Sequence, residues 1–261
     1  MYNDNWMLQK WAHVMEEVGV RGGFSGDVIS ASTEPLEKYF EQGKPDGLQL
    51  LADAIPADKM TLVKYSKREY IERMYRDGEI RIAPASIYAD GSLLSAQQDL
   101  EVQRQFMIPT AESFTKGYLH MNVEGKVYNI SDGDIQISED LQNYYLYSMC
   151  REIDYRLPID FNADAALVIN DAKKFQRLFF DAVRDKLKGW DMRNGVVSYY
   201  DPYTDYKRHR VLEMTKHFRF NYQKEFRLLA RPKKEQKLTL EPFFIRIGSL
   251  KDISTPYFMP E

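Results

Sequence analysis

The chain has 261 residues, 44% of them hydrophobic, which is enough to bury one sizeable core and is ordinary for a globular domain. Thirty-six basic residues against 39 acidic ones leave a net charge of -3, so the molecule as a whole offers no electrostatic case for binding nucleic acid or a membrane. Cys150 is the single cysteine; this excludes an internal disulfide and a cysteine-based zinc cluster, and it fits a reducing compartment. The opening Met1-Tyr-Asn-Asp-Asn-Trp6 lacks a signal-peptide pattern, and no apolar run approaches the ~18 residues of a membrane span, so a cytoplasmic location is expected.

Residues 5–18 place Leu8, Trp11, Met15 and Val18 on one helical face, followed by a glycine-rich loop from Gly19 to Gly26. Two short helices are expected at Glu34–Gln42 and Leu48–Ala54, because prolines and glycines punctuate the pattern around them. Residues 1–60 are therefore read as an N-terminal helical segment and 61–261 as the main domain. From Thr61 the pattern changes: Leu62–Tyr65 reads as a strand, Lys67–Arg76 as a helix stopped by Gly78, and Ile80–Ile82 as a second strand. Residues 117–123 and 126–130 predict a hairpin across Glu124-Gly125. The run Ala165–Ile169 predicts a strand buried on both faces. The clearest helix is Lys173–Lys188, with Phe175, Leu178, Phe179, Val183 and Leu187 at helical spacing and Gly189 just beyond. Further strands are expected at Val196–Tyr200, Glu225–Arg231 and Leu238–Ile247. Short strands alternating irregularly with few helices predict an α+β fold rather than a doubly wound parallel sheet.

Phosphate-loop, dinucleotide, nucleophile-elbow and His-Glu-x-x-His motifs are absent, and His13, His120, His209 and His217 share no metal-ligand spacing. The dense basic run Lys207-Arg-His-Arg210 follows the tyrosine-rich stretch Tyr199–Tyr206. Basic residues interleaved with aromatics can grip phosphates and stack bases, although charge runs are more often solvated surface. A binding module for a nucleotide, a nucleic acid or a partner protein is accordingly one reading of the chain.

Four segments carry a second reading: the strand-helix-strand unit Leu62–Ala83, the loop Pro84–Ser92 leading to Asp99-Leu-Glu101, Ser148 together with Phe161–Ile169, and Lys216–Leu229. In that order they resemble an uncharacterised bacterial family of DUF2971 type, over roughly residues 60–230. That arrangement is similar in turn to the ADP-ribosyltransferase fold, a central split, antiparallel-rich sheet with flanking helices. The resemblance implies an enzyme that consumes NAD, transferring ADP-ribose to a protein or nucleic-acid acceptor or hydrolysing NAD, as bacterial toxins and phage-defence effectors do.

Carried over residue by residue, the resemblance makes Glu225 the glutamate of the third motif and Gln223 the first member of a Gln-x-Glu pair. A fixed carboxylate there would stabilise the oxocarbenium ion that forms as the nicotinamide–ribose bond breaks. An amide two residues earlier shares its face if both lie on a strand. Ser148 matches the second motif in part, since Met149 and Cys150 follow it where the family has Thr or Ser. Lys64, beside Tyr65, or else Arg81 would replace the Arg or His of the first motif and meet the anionic cofactor. Tyr88 and Asp99 stay open as further site residues. Glu101 is not counted among them, because it diverges from Asp99 if Ser95–Phe106 is helical. The alternative for Glu225 is a structural cross-strand ion pair.

Overall fold

A computed structural model describes residues 61–90, 93, 99, 101–109, 121–123, 126–128, 134–153, 157–202, 211–233 and 239–258. The helices expected before residue 60, the basic run 207–210 and Tyr203 and Tyr206 lie outside these. In chain order the strands are β1 (Leu62–Ser66), β2 (Glu79–Pro84), β3 (Gln103–Pro109), β4 (Met121–Val123), β5 (Lys126–Tyr128), β6 (Asp134–Asp140), β7 (Tyr145–Cys150), β8 (Ala165–Ile169), β9 (Asp191–Val196), β10 (Ser198–Tyr200), β11 (Thr215–His217), β12 (Glu225–Arg231), β13 (Phe243–Arg246) and β14 (Ser254–Phe258). The helices are α1 (Arg68–Asp77), α2 (Leu157–Asp160) and α3 (Ala172–Lys186). The protein is α+β, with one large antiparallel sheet and few helices. Among the described residues no helix is long and apolar enough to cross a membrane.

The sheet is organised around β7. One edge of β7 pairs with β12 over six residues, and β12 pairs in turn with β9. The other edge is shared: Cys150 pairs with Val63 of β1, while Leu146 and Tyr145 pair with Ala83 and Pro84 of β2. β1 continues to β8 and β14, and β2 continues to β13. The sheet therefore forks at β7, and Tyr147, Ser148 and Met149 face the opening. Lys64 fills it: its ammonium donates to the Ser148 carbonyl at 2.9 Å and lies 4.6 Å from the Tyr147 ring centroid. A carbonyl that strand divergence would leave unpaired is thus satisfied by a side chain.

Strand alternation divides the residues of this sheet between two faces. On one face Phe226, Leu228, Ala230, Tyr145, Tyr147 and Met149 join Leu62, Ile80, Ile82 and Leu167 beneath α1 and α3. Helix α3 contributes Phe175, Phe179, Phe180 and Val183, with the Phe179 ring 5.5 Å from Tyr147. Its start is capped by the Asp171 side chain, which accepts from the Lys174 N–H at 2.9 Å. The opposite face carries Leu146, Ser148 and Cys150 with their register partners Leu229, Arg227 and Glu225, and there the polar residues gather.

Several expectations are met closely. β8 has five buried residues, β12 begins and ends where predicted, α3 buries the expected aromatic face, and β4 and β5 pair across residues 124–125. Others shift. The strand expected at Val196–Tyr200 is the junction of β9 and β10, broken at Val197, whose N–H turns to the Glu225 carbonyl. Within the described residues 239–247 of the strand expected at Leu238–Ile247, the strand is Phe243–Arg246, where β2 supplies partners. Ser95–Phe106 is not one helix, because β3 begins at Gln103 to pair with β6.

Helix α1 stops at Gly78, whose φ of 62° is left-handed and whose N–H caps the Arg73 and Met74 carbonyls. A Cβ added there would stand 2.1 Å from the Gly248 carbonyl oxygen. Gly78→Ala should therefore cost more than the ~1 kcal/mol of left-handed strain alone, and Phe179→Ala about 3–5 kcal/mol. Urea denaturation measures both; a loss below about 1 kcal/mol for Phe179→Ala would contradict the packing described.

Candidate functional site

On the face opposite α1 and α3, five charged side chains meet out of contact with solvent: Glu101, Arg104, Lys216, Glu225 and Arg227 are all at most 5% exposed. Isolated charges cannot be buried this deeply without large cost, so their pairing is what permits the arrangement. Arg227 stands at the centre. Its Nε donates to Glu225 Oε1 at 2.7 Å and its Nη2 to Glu101 Oε1 at 2.6 Å. Its Nη1 donates to the Glu213 carbonyl at 2.8 Å.

Glu225 gathers its partners from three parts of the chain. Ser148 Oγ on β7 donates to Oε1 at 2.5 Å, and Lys216 Nζ on β11 donates to Oε2 at 3.1 Å. Its backbone N–H donates to the Tyr199 hydroxyl of β10 at 2.8 Å. Burial works against the charged form of Glu225. The charges of Arg227 and Lys216, with hydrogen bonds from Arg227 and Ser148, outweigh that and hold the carboxyl well below the usual carboxylate range.

Lys216 also bonds Gln223 Oε1, at 3.0 Å, so Gln223 and Glu225 share one cation. The reason differs from strand alternation. Gln223 ends a 3-10 turn spanning Phe218–Gln223, and Lys224 then takes a left-handed φ of 43° before β12 begins at Glu225. That kink, rather than a two-residue strand period, turns both side chains to one side. At 3% exposure Gln223 is itself buried.

Glu101 is the residue that sequence reasoning set aside, and the structure puts it inside the cluster. It lies in the turn before β3 rather than on a helix, and Arg227, Arg104 Nη2 at 3.3 Å and the Tyr144 hydroxyl at 3.3 Å meet its carboxylate. Burial opposes its charge, but Arg227, Lys216 and Arg104 overcome this and lower its pKa. Arg104 is anchored further by Thr215, through Nε to Oγ1 at 3.1 Å and Nη2 to the carbonyl at 2.7 Å. Asp99, just before, has no such counter-charge bonded to it. Burial and the nearby Glu101 push its carboxyl up to about 6, against the pull of Lys216, Arg104 and Arg227.

The remaining candidates are distributed around this centre. Ser148 is in contact with Glu225, although β7 runs two residues past it instead of ending there. Lys64 occupies the fork behind Ser148, and burial lowers its pKa against the fields of Cys150 and Glu225. Tyr65 points into an apolar cluster with Val63, Cys150 and Phe220, its ring 6.4 Å from Phe161. Tyr88 packs beside Tyr144 and Leu146, and burial, reinforced by Glu101 and Glu225, raises its hydroxyl to about 12. Arg81 is exposed on β2, opposite Phe244, and contributes to the site as a charge near Tyr88. An open groove on the helix-bearing side is lined by Arg73, Asp185, Lys186 and Phe244, but these are exposed residues without buried chemistry.

Three cations thus face two carboxylates that stay ionised. Asp99 sets the balance, giving neutrality when charged and an excess positive charge when protonated. Among the described residues there is no cluster of His, Cys, Asp and Glu suited to a metal ion. In comparisons with known proteins, no family model, no curated protein and no solved structure matches the chain.

Arg227→Met keeps the side chain's bulk but leaves two buried carboxylates short of their main counter-charge. It should cost about 3–5 kcal/mol in urea denaturation at pH 7. The pH dependence separates the acids by sign. Glu101 and Glu225 are held below their unfolded values, so their contribution is complete above about pH 4.5 and is lost as pH falls through their folded values. Asp99 is raised, so its contribution is most favourable below about pH 4 and is lost as pH rises through about 6. Asp99→Asn should therefore be more stable than the parent at pH 7, by on the order of 2–3 kcal/mol, and equal to it near pH 4. Melting temperatures across that range measure the difference; a variant less stable at pH 7 would contradict the placement of Asp99.

Proposed function

We propose that the chain is an NAD-consuming enzyme of ADP-ribosyltransferase-like fold, in which Glu225 stabilises the cation formed when the nicotinamide–ribose bond breaks. The observation that carries this reading is the meeting of Glu225, on the strand that pairs with the unforked edge of β7, with Ser148 and Lys216, by side chains 77 and 9 residues from it in sequence. The carboxylate is ionised and oriented before any ligand arrives, which is the property that electrostatic stabilisation of an oxocarbenium requires. The forked sheet, with β1 and β2 both antiparallel to β7, supports the ADP-ribosyltransferase-like arrangement. The acceptor would be water or a hydroxyl of a protein or nucleic acid.

The same geometry changes what a substitution at Glu225 does. A free carboxylate could become an amide with little effect on stability, whereas this one is half of two buried ion pairs. Glu225→Gln should therefore lower stability by up to about 3 kcal/mol and, per folded molecule, slow nicotinamide release from NAD by about 100- to 1,000-fold. Ser148→Ala should cost about 1–2 kcal/mol and reduce turnover less. Chromatographic detection of free nicotinamide, normalised to the folded fraction by circular dichroism, separates the two effects. A Glu225→Gln variant that is destabilised but turns over normally per folded molecule would remove the catalytic role. NAD binding without nicotinamide release by the parent would favour a nucleotide-binding module instead.

A further inference from the structure

Every carboxylate in the cluster except one spends its oxygens on the network. Asp99 is fixed through its backbone, its N–H donating to the Tyr88 carbonyl at 2.9 Å and its carbonyl accepting from the Glu101 N–H at 2.9 Å. Its Oδ2 is shielded from solvent and has no hydrogen-bond partner. The groups facing it are Glu101 in the same turn, Arg104 of β3, Lys216 of β11 and Arg227 of β12, with the Tyr144 and Tyr200 rings also within its field. The cations among them are engaged elsewhere: Arg104 and Arg227 bond Glu101, and Lys216 bonds Gln223 and Glu225. A buried acceptor left open in an otherwise satisfied network is a place where a ligand's O–H can supply the missing bond.

We propose that Asp99 is the general base of the reaction, taking through Oδ2 the proton of the water or acceptor hydroxyl that attacks the ribose. This rests on the NAD-consuming reading given above. Glu225 is unsuited to that task, because a carboxylate held so firmly in its ionised form has little affinity for a proton. Asp99 has the complementary property, since burial and Glu101 bring its proton affinity toward neutral pH. The O–H proton passes to Asp99 as the new bond from oxygen to the ribose C1′ forms and the C1′–nitrogen bond breaks. The bonding pair leaves with nicotinamide, whose ring nitrogen was positively charged and which therefore departs neutral. Asp99 then returns the proton to solvent. The two acids divide the work: Glu225 holds a charge, and Asp99 moves a proton.

The test measures nicotinamide release from saturating NAD between pH 5 and 8, using the full chain with Asp99 intact and the Asp99→Asn and Asp99→Ala variants. The parent rate should fall tenfold per unit below about pH 6. Asp99→Asn should be at least 100-fold slower per folded molecule and should lose that acid limb. Added formate should restore Asp99→Ala at least tenfold while leaving Asp99→Asn unchanged. A variant that is slow but keeps the acid limb, or an Asp99→Ala chain indifferent to formate, would overturn the assignment while the NAD-consuming reading stands. Absence of nicotinamide release by the parent at every pH would overturn both.

Discussion

The guanidinium of Arg227 is the interaction on which the rest of the polar face depends. It has no exposed surface, and it joins Glu225 on its own strand to Glu101, 126 residues earlier in the chain. It is the largest counter-charge that each of these buried carboxylates meets. Once it is present, Lys216 and Arg104 complete the coordination, and Thr215 fixes Arg104 in turn. One strand, β12, thereby presents Phe226, Leu228 and Ala230 to the core beneath α3, and Glu225 and Arg227, followed by Leu229, to the other side. The alternation of a single strand separates the core from the chemistry.

The fork at β7 supplies the second constraint. β1 and β2 both run antiparallel to β7 on the same edge, and they diverge over Tyr147, Ser148 and Met149. Lys64 holds the gap by bonding the Ser148 backbone, while the Ser148 hydroxyl on the other side bonds Glu225. A structural lysine and a carboxylate thus communicate through one serine. This gives Lys64 a role whether or not it meets a ligand: withdrawing it would leave a buried carbonyl unpaired directly behind Glu225.

The sequence is informative where one local rule decides the outcome. The run Ala165–Ile169, the aromatic stripe of α3 and the Glu225–Arg231 strand each carry a periodicity or apolar content that tertiary contacts only confirm. Glu225 and Ser148 are brought together, and Gln223 joins them, although a left-handed Lys224 rather than a strand period arranges it. Glu101 was illegible because its importance lies in partners far along the chain, Arg227 above all, and no local spacing signals such a contact. Arg104 and Lys216 were missed as site members for the same reason. Arg227 offered one faint clue, as a charged residue inside an otherwise apolar strand, Phe226 to Ala230. The edge strand β13 escaped exact placement and β14 was not expected, because pairing with β2 and β8, not composition, defines them.

The most direct test of the account is a crystal structure of the Glu225→Gln chain grown with NAD, a variant expected to bind the dinucleotide while turning it over slowly. The account predicts the nicotinamide ribose against residue 225, with Ser148 and Lys216 beside it and a ribose-side water or hydroxyl within about 3 Å of Asp99 Oδ2. NAD bound in the exposed groove beside α3, or no bound NAD at concentrations far above the cellular range, would contradict it.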